Sequence, residues 1–287
     1  MAPTPRSRFV RGEGIFFESV ARLDAIDLCS IDVLRYHTGT NRFRPTSIAS
    51  PHGPLTRSFG STEIEVDITE IEGISASKSS DRYFESVRAF GQDFADYLGT
   101  AVDPAGLAKM LKHGEIRIIG ERRSDSFSLR LWDARLFLAN DGGSHHFAAA
   151  AYIAGDIGAA VRLRAPLTAH GLNEASVAWL LQSYAPYLVG QSSVANAKAA
   201  IAQLAGECGV IDLPGCLAEG AAMLLVPTSA RDSREVCCLV EQQGAQPLRQ
   251  WMEASLNRQR QLRSRVAAQT SRDTGYLAVP AVRRMLA

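Results

Sequence analysis

The sequence predicts an α+β protein, a small mixed sheet flanked by helices with extensions at both ends. Three observations carry that expectation. Runs of period two alternate with runs of helical period along the chain, and no internal repeat at solenoid spacing interrupts them. With 287 residues, 46% hydrophobic and 21% charged, the chain can build a core of ordinary composition. Composition divides it into an N-terminal extension and loop over 1–60, an α/β core over 61–190, and a C-terminal α/β segment with an arginine-rich end over 191–287.

In the first segment, DLCSIDVLRYH is the one convincing strand, and Asn41 to Ser61, with Pro45, Pro51 and Pro54, reads as a long loop. STEIEVDITEIEG then sets Ile64, Val66 and Ile68 on one face and Glu63, Glu65, Asp67 and Thr69 on the other, a strand with one wet side. In SDRYFESVRAFGQDFADYLG, Tyr83, Phe84, Val87, Phe90, Phe94 and Leu98 recur at helical spacing, and Gly99 supplies a stop. Asp103-Pro104 opens a second helix with Leu107, Met110 and Leu111 inward, and Gly114 closes it. His113 is placed to interact with the dipole at that helix end.

EIRIIG reads as a short strand and IGERRSD as a charged turn presenting Arg122 and Arg123. SFSLRLWDARLFLAN holds two alternating runs around Asp133-Ala134, a hairpin. An alanine-rich helix follows, then a strand in AAVRLRAPL and a helix over NEASVAWLLQSYAPYLV with Asn173 as its cap. His170 falls in the turn before that helix. Further on, SVANAKAAIAQLAGECG reads as helix, AAMLLVPT as strand, and REVCCLVEQ as a strand that buries Cys237-Cys238. A final helix starts at Pro247, and from Arg249 the arginines 249, 258, 260, 263, 265, 272, 283 and 284 face only Glu253 and Asp273.

A net charge of +1 argues against a strongly acidic or basic protein, while leaving room for a local basic face. Cys29, Cys208, Cys216, Cys237 and Cys238 form no CxxC pair and no metal-like cluster, so reduced thiols in a cytoplasm are expected. The leading MAPTPRSRFVRGEG carries Arg6, Arg8 and Arg11 without the apolar stretch of a signal peptide. No run approaches the roughly 18 apolar residues of a membrane helix. A cytoplasmic protein without membrane contact is expected.

The chemistry-bearing stretch is LANDGGSHHFAAAAYIA, Leu138 to Ala154. A strand that turns through glycines into a helix is a layout for binding phosphate. The first N–H groups of a helix lack internal partners and carry partial positive charge. Gly142 and Gly143 let backbone amides approach an anion, and Ser144 can cap the helix or donate its hydroxyl. His145 and His146 can donate hydrogen bonds to phosphate or move a proton near neutral pH. The small side chains of Ala148, Ala149 and Ala150 allow close helix packing. A plainer use of the same residues is also open: a turn, a serine cap and solvated histidines. Adjacent histidines diverge from a helix, and no HxxxH or nearby carboxylate accompanies them, so no metal site is expected.

The stretch NDGGSHHFAAAAYIA resembles the signature of the ParB/sulfiredoxin-like superfamily, in which a strand enters a Gly-(Gly)-x-His-Arg turn followed by an alanine-rich helix. The resemblance covers roughly Glu115 to Arg164 and marks this chain as a divergent member. It implies that Gly142, Gly143, Ser144, His145 and His146 contact nucleotide phosphates. Ser144 stands where sulfiredoxins carry their nucleophilic cysteine, so sulfinic-acid reductase chemistry should be absent. His146 stands at the arginine position, replacing a permanent cation by a titratable one.

The expected function is that of a cytoplasmic protein binding a nucleotide or another phosphorylated small molecule, with a nucleoside triphosphate and Mg²⁺ as the natural cofactor pair. Phosphoryl or nucleotidyl transfer, or nucleotide hydrolysis, would place His145 and His146 in catalysis. An alternative is a non-catalytic, DNA-associated or regulatory protein that applies Arg258, Arg260, Arg263 and Arg265 to phosphate backbones from an exposed amphipathic helix. A protein-interaction module, with the turn only a cap, is a third.

Overall fold

The computed structural model describes residues 14–16, 23, 26–119, 124–213, 221–268, 275–278 and 280–286. Its strands are β1 (Ile31–His37), β2 (Arg42–Ile48), β3 (Thr56–Asp67), β4 (Gly73–Ile74), β5 (Ser126–Arg130), β6 (Arg135–Ala139), β7 (Arg162–Leu172), β8 (Tyr184–Gly190), β9 (Glu207–Asp212), β10 (Ala221–Pro227) and β11 (Gln246–Pro247). Its helices are α1 (Val87–Tyr97), α2 (Pro104–Leu111), α3 (Ser144–Ile157), α4 (Glu174–Ser183), α5 (Gln191–Ala205), α6 (Ser233–Gln242), α7 (Arg249–Ala268) and α8 (Pro280–Leu286). The architecture is α+β, but with two sheets where the sequence predicts one.

Two compact units share the chain. Among the described residues, one comprises those within 23–57 and 172–257, the other those within 14–16, 58–171 and 258–286. Their pieces interleave, so the consecutive segments 1–60, 61–190 and 191–287 do not coincide with them. The expectations for Arg6, Arg8, Arg11, Arg122, Arg123, Cys216, Arg272 and Asp273 fall outside the described residues.

The first unit is built on a six-stranded sheet of order β11-β8-β10-β9-β1-β2, antiparallel at every pairing. β1 alternates as expected, with Ile31 and Val33 fully buried and Asp32 exposed. The long loop predicted over Asn41 to Ser61 is not all loop, because β2 pairs with β1 from Arg42 to Ile48. Pro45 is compatible with this because β2 lies at the sheet edge, where a missing N–H breaks no ladder. The helix predicted over NEASVAWLLQSYAPYLV ends at Ser183 and continues as β8, since Pro186 cannot sit inside a helix. Asn173 caps α4 through Ser176 N–H as expected.

REVCCLVEQ is a helix rather than a strand. Only Val236 is well buried along it; Cys237 is half-buried and Cys238 exposed, so the expected burial of that pair does not hold. Its β-branched and cysteine residues mimic a strand, but Val236 and Val240 share one face at helical spacing.

The second unit carries a mixed sheet of order β3-β7-β5-β6-β4, with β5 antiparallel to β6 and parallel to β7. The β5–β6 hairpin turns at Leu131–Ala134, where Ala134 takes φ 61°. Ile64 and Val66 on β3 are buried while Glu63 and Glu65 are exposed. His170 lies within β7 rather than in a turn. EIRIIG forms no strand. Glu115 to Ile119 run through turns (Ile116 N–H to His113 O 3.0 Å, Ile119 N–H to Ile116 O 3.3 Å), and its alternation reflects the burial of Ile116 and Ile118 alone.

Helix α1 starts at Val87, capped by Ser86 on Ala89 N–H (3.0 Å), which leaves Tyr83 outside it and exposed. Phe90 and Phe94 point into the core together with Phe147 and Ala148 to Ala151 of α3. The arginine-rich end is the amphipathic helix expected, exposed at Arg258, Arg260 and Arg265, with its apolar face packed into the core. Leu262 and Val266 of α7 are buried with Val282 and Leu286 of α8 in the same core.

Candidate functional site

The site grows from the turn between β6 and α3, inside the second unit. Asn140, buried at the end of β6, ties this turn to the segment after β4. Its Nδ2 donates to Ala76 O (3.0 Å) and Gly142 O (2.8 Å), its Oδ1 accepts from Ala76 N–H (3.1 Å), and its N–H reaches Ser75 Oγ (2.9 Å). Asp125 accepts Asp141 N–H from below (3.3 Å), and burial pushes its carboxyl above the usual range.

Gly143 has φ +66°, and a Cβ there would stand 2.6 Å from the carbonyl oxygen of Glu115. Both the left-handed backbone and the close approach of the Glu115 peptide therefore require glycine. Gly143 is itself the N-cap, without any side-chain cap bond. Ser144 is accordingly not the cap that the sequence suggests. It is the first helical residue, buried, with its hydroxyl 3.0 Å from Ser77 Oγ. Phe147 N–H bonds to Gly143 O (2.9 Å), so the amides of Ser144, His145 and His146 lie ahead of the first intrahelical bond.

These amides stand at a cleft of about 560 Å³ lined by Ala76, Ser77, Lys78, His113, Glu115 and Asp141 to His146. All five residues singled out from the sequence, Gly142, Gly143, Ser144, His145 and His146, border it. The two histidines are held differently. His145 lies nearly flat on Phe94, with ring centroids 3.9 Å apart and planes at 22°, and its Nε2 is 3.0 Å from Ser79 Oγ. His146 stacks on His113, centroids 3.5 Å apart and planes at 10°.

Burial lowers the pKa of both histidines. For His145 the cations Lys78 and Arg82 add to the effect and Glu115 opposes it; for His146 the neighbouring His113 adds and Glu115 again opposes. Both imidazoles are therefore neutral donor–acceptor groups at neutral pH rather than standing cations. Asp141 is paired with Arg117 (2.6 Å), which takes one negative charge out of competition with an incoming anion.

Ser77 and Lys78 on the cleft lining, Ser79 as the partner of His145, and His113 and Glu115, again on the lining, are what sequence reasoning missed. The first three come from a Ser/Lys loop without periodicity, and the sequence shows His113 only as a helix-end residue, not the ring it stacks on. The arginines proposed for DNA lie elsewhere. Arg258 donates Nε–H to Trp132 O (2.9 Å) and Arg263 to Leu286 O (3.0 Å), while Arg260 and Arg265 occupy exposed positions. Among the described residues no group of three or more His, Cys, Asp or Glu side chains is arranged to hold a metal ion, and no helix is long and apolar enough to cross a membrane.

No curated protein and no solved structure matches this chain. A family model does, over residues 61–265, which is more than half of the sequence and contains the whole turn, the cleft and both stacked histidines. The chain therefore belongs to that family, described as a family of unknown function (DUF6685).

Proposed function

We propose that the protein binds the phosphate group of a nucleotide or another phosphorylated small molecule in the cleft at the start of α3. One observation carries the reading. The open first turn of α3, the hydroxyls of Ser77 and Ser144, the ammonium of Lys78 and two neutral imidazoles all border a single cleft, and the glycine at the turn has no side chain to cover it. Backbone amides, hydroxyls and one permanent cation are what a phosphate needs, and they are preorganised by Asn140 and Gly143. The likeness of the turn to the ParB/sulfiredoxin-like superfamily supports the same reading. A nucleoside triphosphate would bring Mg²⁺ on its own phosphates. The four thiols at Cys29, Cys208, Cys237 and Cys238 are unpaired, which suits a cytoplasmic setting.

The test is a melting experiment with inorganic phosphate, and with adenosine triphosphate in the presence and absence of Mg²⁺. A ligand at a hundred times its Kd stabilises the fold by about 2.7 kcal/mol, well within reach of the assay. Lys78→Gln, at an exposed side chain, should leave the unliganded melt in place and reduce the ligand-induced shift. An absent shift in the parent protein, or an equal one in the variant, overturns the reading.

A further inference from the structure

One contact at the cleft is not used by phosphate binding. Ser79 Oγ and His145 Nε2 are 3.0 Å apart, the spacing of a hydroxyl nucleophile and its base. Both partners are fixed. His145 is clamped against Phe94 with Phe90 at its edge, the two centroids 3.9 and 5.5 Å away. Ser79 sits in a double turn in which its own N–H meets Ser77 Oγ (3.2 Å), Ser80 N–H meets Ser77 O (3.3 Å) and Arg82 N–H meets Ser79 O (3.1 Å). The preceding residues of that turn, Ser77 and Lys78, line the cleft, as does His145. Ser77 has a different partner in Ser144, so Ser79 is the hydroxyl of this loop that meets an imidazole.

We propose that Ser79 is a nucleophile that takes the phosphoryl group of a phosphate ester bound in the cleft, with His145 as its base; the proposal rests on the phosphate-binding reading above. As Ser79 Oγ attacks, its proton passes to His145 Nε2 and a bond forms from Oγ to phosphorus. The bond from phosphorus to the leaving oxygen breaks, and the imidazolium returns the proton to that oxygen. The products are phosphoserine at position 79 and a free alcohol, so the step balances without metal or redox partner. The depressed pKa of His145 keeps the ring neutral and able to accept the proton at neutral pH. Lys78 supplies positive charge beside the phosphoryl oxygens, and the start of α3 supplies amide donors.

The probe is p-nitrophenyl phosphate with the full chain. The expected result is a stoichiometric burst of p-nitrophenolate, the mass of one phosphoryl group added to the protein, and an acid-stable mark that maps to Ser79. Ser79→Ala and His145→Gln should lose the mark, and Ser80→Ala should keep it. The melting shift with inorganic phosphate should persist in Ser79→Ala, showing a folded protein whose binding is intact. If inorganic phosphate stabilises the protein but no mark forms on the parent chain, the nucleophile falls and the binding reading stands. An acid-labile mark on a histidine also overturns the proposal, since Ser79 would then only position the ring. No shift and no mark would sink both readings.

Discussion

Replacing Gly91 by alanine sets two opposed effects against each other in a helix that supports the site. On propensity alone the change should stabilise α1, because glycine is about 1 kcal/mol worse than alanine in a helix interior. Packing says the opposite. A Cβ on Gly91 would lie 2.0 Å from the carbonyl oxygen of Ala148, 2.6 Å from its carbon and 2.8 Å from Tyr152 Cβ. Two of those atoms are backbone, so no side-chain rotation relieves the clash; α1 and α3 must part by roughly an ångström. A gap of that size forfeits about a quarter to a half of each dispersion contact across the interface. Phe90, Phe94 and Ala148 are among the buried side chains affected. Overpacking of this kind costs about 1–3 kcal/mol or more, and its upper end is appropriate where backbone blocks relaxation. The net expectation is a loss of about 2 kcal/mol. It is measured by urea unfolding followed through the fluorescence of Trp132, buried in the same unit, in a background where Trp179 and Trp251 are phenylalanine. The midpoint should fall with the slope unchanged. A midpoint that holds or rises would refute the close approach of the two helices and, with it, the reason that α3 is rich in alanine.

Three further outcomes are expected. Burial pushes the Asp133 carboxyl up to about 6 from 3.8, so the folded state holds the extra proton between these values and stability falls as pH rises through them. Asp133→Asn should remove that fall, gaining roughly 3 kcal/mol on the parent protein between acid and neutral pH; parallel curves would refute it. Arg258→Gln and Arg263→Gln should each destabilise by about 1 kcal/mol through a lost bond to a backbone carbonyl, while the exposed Arg265→Gln stays within about 0.5 kcal/mol. A labelled duplex bound equally well by the Arg258 and Arg263 variants would show that these two residues do not read phosphate backbones. His113→Phe keeps a ring on His146 and removes its repulsion, so the His146 pKa should rise, whereas Glu115→Gln should lower it further. Imidazole proton resonances followed through a pH titration check both signs, and movement in the same direction would contradict the arrangement.

The parts of the fold that were legible in the sequence are those whose burial repeats locally. β3, the β5–β6 hairpin, α2 with its Asp103 cap and the alanine helix all follow from spacing within a dozen residues. The misreadings occur where a local pattern is produced by something else. In EIRIIG two isoleucines are buried from a turn, in REVCCLVEQ β-branched residues lie on a helix face, and in β2 a proline is tolerated only because the strand is at an edge. Edge position and burial from a turn are properties of the assembled sheet, so no window of sequence reveals them. The interleaving of the two units is invisible for the same reason.

The site divides along the same line. The half carried by Gly142 to His146 is contiguous and announces itself through glycines before an alanine helix. The other half arrives from far away: Ser75 on Asn140, Ser77 on Ser144 and Ser79 on His145 are contacts between residues about 65 positions apart, and His113 reaches His146 across a shorter gap. Nothing in a Ser/Lys loop foretells such partners. What the sequence does carry is the requirement that the partners come close. Gly143 admits the Glu115 peptide, which follows His113, and Gly91 admits the backbone of Ala148, bringing the helix that holds Phe90 and Phe94 against His145. The glycines thus encode the far half of the site by the space they leave for it. A substitution at either one should disturb the histidines without touching them.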